Sequence, residues 1–170
     1  MKKIIALILC ALLVFCLCAC GDSDGESDGD SANIGLTKAA DFIVTSQSGE
    51  EIWLSAFFEK PVVLNFWASW CPPCKGEMPD FEKMYQEYGD RVNFVMVSVD
   101  DSMSDAAAFM EKTSYSFPYY HDAIGYGSYF YEVTSIPRTY FINEDGYIES
   151  SHLSAIKENQ LKAEIENLIK

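Results

Sequence analysis

Apolar and polar positions divide this 170-residue chain into three stretches. Residues 4–17 are an unbroken apolar run, and residues 21–35 carry almost no apolar side chain. From Thr37 onward the two kinds alternate with the periods of secondary structure. "DFIVTSQSGEEIWL" (41–54) predicts two short strands around a Ser48-Gly49 turn, an N-terminal hairpin. "PVVLNFWA" (61–68) and "VNFVMVSV" (92–99) are near-continuous apolar strands of the kind buried inside a sheet. Between them, residues 72–89 place Met78, Phe81, Tyr85 and Tyr88 on one helical face. Strand, helix and strand in that order form a βαβ unit with a right-handed crossover. Residues 102–112 read as a helix opened by a Ser102/Asp105 capping box. The tyrosine-rich "YSFPYYHDAIGYGSYFYEV" (115–133) predicts packing over the core with a short helix, or else a partner-docking surface. "PRTYFI" and "YIESSH" are strands joined by the hairpin turn "NEDG". Leu161, Ile165, Leu168 and Ile169 give a C-terminal helix its apolar face. The expected fold class is α/β, a mixed β-sheet flanked by helices on both sides.

A composition of 49% hydrophobic and 14% aromatic residues suffices for one well-packed domain. The formal charge of −14 argues against nucleic acid as a partner, since phosphate binding needs a basic face. Lys2 and Lys3 followed by the 4–17 apolar run have the layout of a secretory signal, and the run is short for a membrane span. "LCAC" (17–20) before Gly21 resembles a bacterial lipoprotein signal, which implies a lipid on Cys20. The alternative is an uncleaved signal anchor, and both place the domain outside the cytoplasm. The acidic, core-poor stretch after Cys20 is a spacer. The organisation is therefore 1–19 signal peptide, 20–36 lipid-anchored acidic disordered tether, and 37–170 folded domain.

Of six cysteines, three leave with the leader and Cys20 is taken by lipid, so Cys71 and Cys74 remain. A zinc site needs about four ligands, and His121 and His152 form no second ligand cluster. As a structural staple, a disulfide across three residues constrains the unfolded chain very little. Redox chemistry carries the weight, because Cys-x-x-Cys opens a helix directly after the first strand of a βαβ unit. Unpaired N–H groups and the helix dipole favour a thiolate at Cys71. Cys74, one turn on and facing inward, can attack the resulting mixed disulfide. Pro72 and Pro73 suit the first helical turn, where an N–H has no partner.

"VVLNFWASWCPPCKGEMP" together with "SIPRTYFINEDG" resembles the thioredoxin superfamily, specifically the ResA/TlpA-like membrane-tethered thiol–disulfide oxidoreductases. The resemblance spans about 39–170 and implies a thioredoxin-like sheet with an N-terminal β-hairpin and a central αβ insert. It implies Cys71 as nucleophile, Cys74 as resolving thiol and Pro137 as a cis-proline facing the disulfide. Trp70, Pro72, Pro73 and the Ile136 backbone are the expected client-binding groups. Asn65 stands where ordinary thioredoxins carry a buried aspartate, and Glu77, three residues after Cys74, is the glutamate these relatives use instead. The implied activity is disulfide reduction without a metal or other cofactor, by a lipid-anchored monomer at the extracytoplasmic face of a bacterial membrane. Its partners would be a membrane thiol-reducing electron donor and a protein disulfide. Apocytochrome c, in cytochrome c maturation, and methionine sulfoxide reductase are the client types of the family. A peroxiredoxin-like thiol peroxidase and a non-enzymatic surface-binding lipoprotein are the alternatives.

Overall fold

The computed structural model describes Asn33 and residues 35–170; the leader, Cys20 and nearly all of the 20–36 tether lie outside the described residues. The centre of the sheet is β4 (Val62–Trp67), buried at every position, and β5 (Asn93–Ser98). They run parallel, in register from Val62 opposite Asn93 to Trp67 opposite Ser98. Short β6 (Tyr119–His121) extends the sheet parallel to β5. Beyond it lies the predicted N-terminal hairpin, β2 (Ile43–Thr45) and β3 (Glu51–Trp53), with β2 antiparallel to β6. On the other flank β7 (Arg138–Ile142) is antiparallel to β4, β8 (Tyr147–Leu153) to β7, and two-residue β1 (Thr37–Lys38) to β8. The order β1-β8-β7-β4-β5-β6-β2-β3 is a mixed eight-stranded sheet. Gly146 holds φ at +80° in the β7–β8 turn, where other residues are strained.

Alternation along β4 divides the core. Val63 and Trp67 face a cluster with α1 (Pro72–Tyr88), α2 (Met103–Met110) and α4 (Glu158–Leu168). Val62, Leu64 and Phe66 face Phe42, Val44, Tyr131 and Tyr140 on the side that carries α3 (Tyr126–Phe130). Helix α1 buries Cys74, Glu77, Met78, Phe81, Met84 and Tyr88. Each large apolar side chain so buried contributes about 1.5–3 kcal/mol, enough to carry the helix through Pro79, whose missing N–H removes one internal bond.

One local expectation needs correction, and two short strands join the sheet that the sequence did not announce. Ser102 is the N-cap of α2, but its hydroxyl donates to the Asp105 carboxylate at 2.8 Å rather than capping a backbone N–H, so the box is not formed. β1 and β6 have no periodic signal of their own and exist because neighbouring strands pair with them. The tyrosine-rich segment packs over the core with a short helix, as expected: Tyr119 and Tyr131 are buried, while Tyr126, Tyr129 and Phe130 are exposed on α3.

Candidate active site

β4 delivers the chain to the site, and a tight turn follows in which the Cys71 N–H donates to the Ala68 carbonyl at 3.1 Å. Cys71 is the N-cap of α1, in extended conformation, and Pro72 and Pro73 occupy the first two helical positions. The first N–H of the helix therefore belongs to Cys74, and it donates to Cys71 Sγ at 3.2 Å. The two cysteines form a disulfide with Cα atoms 5.3 Å apart. Cys71 is 3% exposed and Cys74 fully buried, so Cys71 is the more accessible residue of the pair. Trp70, immediately before it, is 63% exposed. Beside Trp70 a cleft of about 430 Å³ is lined by Ser69, Lys75, Asp101, Phe109 and Lys112 among others.

The Ile136–Pro137 peptide is cis. Arg138 is registered with Phe66, so Pro137 enters β7 at the end of the sheet where β4 runs out to Cys71. Ile136 packs against the cluster that contains both cysteines.

Glu77 lies one turn beyond Cys74 on the buried face of α1 and is 2% exposed. Its Oε1 accepts from Asn65 Nδ2 at 3.0 Å, and its Oε2 from the Ile156 N–H, just before α4, at 2.8 Å. Asn65 Nδ2 also donates to Thr139 Oγ1 on β7 at 3.0 Å, while Asn65 Oδ1 has no partner. Burial pushes the Glu77 carboxyl up; the bonds from Ile156 and Asn65 pull it down, and Asp80 adds a smaller upward push. The result is a pKa of about 7 against an ordinary 4.5. A carboxyl in that range can exchange protons near neutrality.

The structure thus gathers Trp70, Cys71, Pro72, Pro73, Cys74 and Glu77 at the start of α1, with Ile136 and Pro137 at the same end of the sheet. Cys20 lies outside the described residues. Thr139, the Ile156 N–H, Ser69 and Asp100 also belong to the surroundings and had no motif to announce them. Among the described residues, no group of three or more His, Cys, Asp or Glu could hold a metal ion.

A thioredoxin-like sheet with a Cys-x-x-Cys disulfide at its central strand–helix junction defines a thiol–disulfide oxidoreductase. The chain belongs to the AhpC/TSA family, whose profile matches residues 36–151. It is 35% identical over 132 residues to the thioredoxin-like protein YneN of Bacillus subtilis, covering 76% of this chain and 77% of that one. To the thiol-disulfide oxidoreductase ResA of Oceanobacillus iheyensis it is 36% identical over 118 residues, covering 69% of this chain and 62% of that one. The crystal structure of the exposed lipoprotein thioredoxin Etrx1 of Streptococcus pneumoniae superposes with a TM-score of 0.67 at 27% identity, over 76% of this chain and 100% of that one.

Proposed function

We propose that this oxidoreductase runs in the reducing direction, as a lipid-anchored extracytoplasmic disulfide reductase. In the dithiol form the Cys71 thiolate attacks a client disulfide; a Cys71–client bond forms and one client thiolate leaves. The Glu77 carboxylate takes the Cys74 proton. The Cys74 thiolate then attacks Cys71 Sγ, the second client thiolate leaves, and the Cys71–Cys74 disulfide is restored. Two electrons have passed to the client, and a membrane thiol donor returns them. Trp70, Pro72, Pro73 and the Ile136 backbone form the client surface beside Pro137.

The observation that carries the direction is the sparse support for a thiolate on Cys71. Two prolines leave a single helix-start N–H, that of Cys74, on its sulfur, and Glu77, one turn beyond Cys74, opposes added negative charge on the pair whenever it is ionised. A less stabilised thiolate makes the dithiol a better electron donor. Thioredoxin sits near about −270 mV and the oxidant DsbA near about −120 mV, so this pair belongs at or below about −240 mV. Redox titration against glutathione and dithiothreitol tests it, and a value near the oxidant's refutes the direction.

The leader motif supports a lipid on Cys20, with residues 20–36 as the tether and 37–170 as the working domain; Etrx1 is likewise described as an exposed lipoprotein. The client is an extracytoplasmic protein disulfide such as those of apocytochrome c or methionine sulfoxide reductase. Cys74→Ala should accumulate a Cys71–client mixed disulfide in cells that dithiothreitol releases, whereas Cys71→Ser should capture nothing and lose activity. Capture by the Cys71→Ser variant, or its continued activity, overturns the assignment.

A further inference from the structure

The geometry points to Asp100 as a positioning residue for disulfide exchange, acting through Ser69 to fix the turn that presents Cys71. Asp100 lies just past the end of β5 and is 5% exposed. Its carboxylate reaches across to the segment between β4 and α1. Oδ1 and Oδ2 both accept from the Ser69 N–H, at 3.2 and 2.9 Å, and Oδ1 accepts from the Ser69 hydroxyl at 2.7 Å.

The carboxylate is itself held from behind. The Ser98 hydroxyl donates to Oδ2 at 2.7 Å, and the Asp100 N–H donates back to Ser98 Oγ at 3.0 Å. The Asp100 carbonyl accepts from His121 Nε2 at 2.9 Å, which ties it to β6. Three strands of the sheet are thereby joined to one point of the turn, since the Val99 N–H also donates to the Trp67 carbonyl at 2.8 Å.

Ser69 follows Ala68, whose carbonyl accepts from the Cys71 N–H, so holding Ser69 holds both the turn and the direction in which Trp70 and Cys71 leave it. A buried hydrogen-bond network is stiff when every member is satisfied. In-line attack of one sulfur on another depends on that stiffness. Misplacement of a reacting group by about 1 Å can cost on the order of 100-fold in rate.

The test is the stopped-flow reaction of the reduced full chain with the small aromatic disulfide dithiobis(nitrobenzoate), which reports Cys71 without a docked client. Asp100→Ala is expected to react about tenfold or more slowly at every pH, with the inflection of the pH profile unmoved. Asp100→Asn keeps an oxygen for Ser69 and is expected within about threefold of the wild type. Ser69→Ala keeps the backbone bond and should be slowed roughly two- to fivefold. A positioning role moves the rate and leaves the proton equilibria alone. Wild-type rates in Asp100→Ala and Ser69→Ala overturn the inference, and Ser69→Ala alone decides it should Asp100→Ala fail to fold. It is equally overturned if Asp100→Asn is as slow as Asp100→Ala, or if the inflection shifts, because the charge would then be the active element. The inference rests on Cys71 as the attacking thiol, which Cys71→Ser tests separately in the same assay.

Discussion

Glu77→Gln should make the oxidised domain more stable at alkaline pH and abolish a pH slope that the wild type shows. A carboxyl raised from 4.5 to about 7 prefers its proton in the folded state by about 3 kcal/mol. Below pH 4.5 the group is protonated in both states and the preference costs nothing. As pH rises from there the unfolded chain releases the proton and the folded protein retains it, so stability falls until pH passes the folded value of about 7. Between pH 5 and pH 8 the loss is about 2.5 kcal/mol, or roughly 1 M in urea midpoint for a slope of about 2 kcal/mol/M. Glutamine has no such slope. Its Oε1 can accept from the Ile156 N–H, and its Nε2 can be met by Asn65 Oδ1, unpartnered in the wild type, once that amide turns over. Thr139 then donates where it accepted, at a cost of about 1 kcal/mol. Glu82 and Glu87 act in a different window. Burial pushes Glu82 up, but bonds from Ser116, Gln86 and Phe117 outweigh it, and the bond from Lys162 lowers Glu87. Both held below the usual range, they lose their contribution as pH falls below 4.5, not as it rises. Urea unfolding of oxidised wild type and variant at pH 5 and pH 8 isolates Glu77 as the difference of differences. Parallel pH dependences in the two proteins would refute the reasoning.

Two further expectations concern the face of the sheet that carries α3. Gly127→Ala would place a Cβ 2.3 Å from Phe42 Cε2, and Phe42 is itself packed against Phe66 and Tyr131; thermal unfolding should show a loss of about 1–3 kcal/mol, and an unchanged midpoint would mean that α3 moves aside at no cost. Asp122 accepts from the Gly127 N–H at 3.1 Å and from the Ser128 N–H and hydroxyl, each at 2.7 Å; Asp122→Ala should lose about 1–2 kcal/mol and unprotect the Ser128 amide in hydrogen exchange, and retained protection would show that α3 does not need this cap.

The elements legible in the sequence are those whose burial is written into consecutive residues. β4 and β5 are covered on both faces by helices or aromatic layers, so their apolar runs are unbroken and unmistakable. Helix α1 announced itself although it contains Pro79, because the face bearing Met78, Phe81 and Tyr88 keeps its period past the proline. β1 and β6 were illegible for the converse reason. β1 is held by pairing with β8 and by the Ala39 N–H on the Gly146 carbonyl, more than a hundred residues away in sequence. β6 is three residues wedged between β5 and β2, with an alternation too short to register. Ser102 shows how a local motif misleads: the serine-then-acid spacing was present, yet a hydroxyl that can donate found the Asp105 carboxylate a better partner than a backbone N–H.

The same division explains the site. Cys71, Cys74 and Glu77 recur at a helical spacing, so a sequence reading can place them together on α1. The state of Glu77 cannot be read that way, because it depends on Asn65 from β4, Thr139 from β7 and the Ile156 N–H ahead of α4. Those groups meet only when β7 pairs with β4 and α4 returns across α1. That closure has a consequence beyond the carboxyl itself. One turn further along, Asp80 accepts from the Glu158 N–H at the start of α4 at 3.1 Å, so two acids of α1 hold the entry of the last helix. The helix that carries the disulfide is therefore also the helix that anchors the C-terminal segment, and protonation of Glu77 weakens one of those two anchors. A buried carboxyl with that double attachment is tuned by the whole tertiary structure, which is why its residue type and spacing were visible and its chemistry was not.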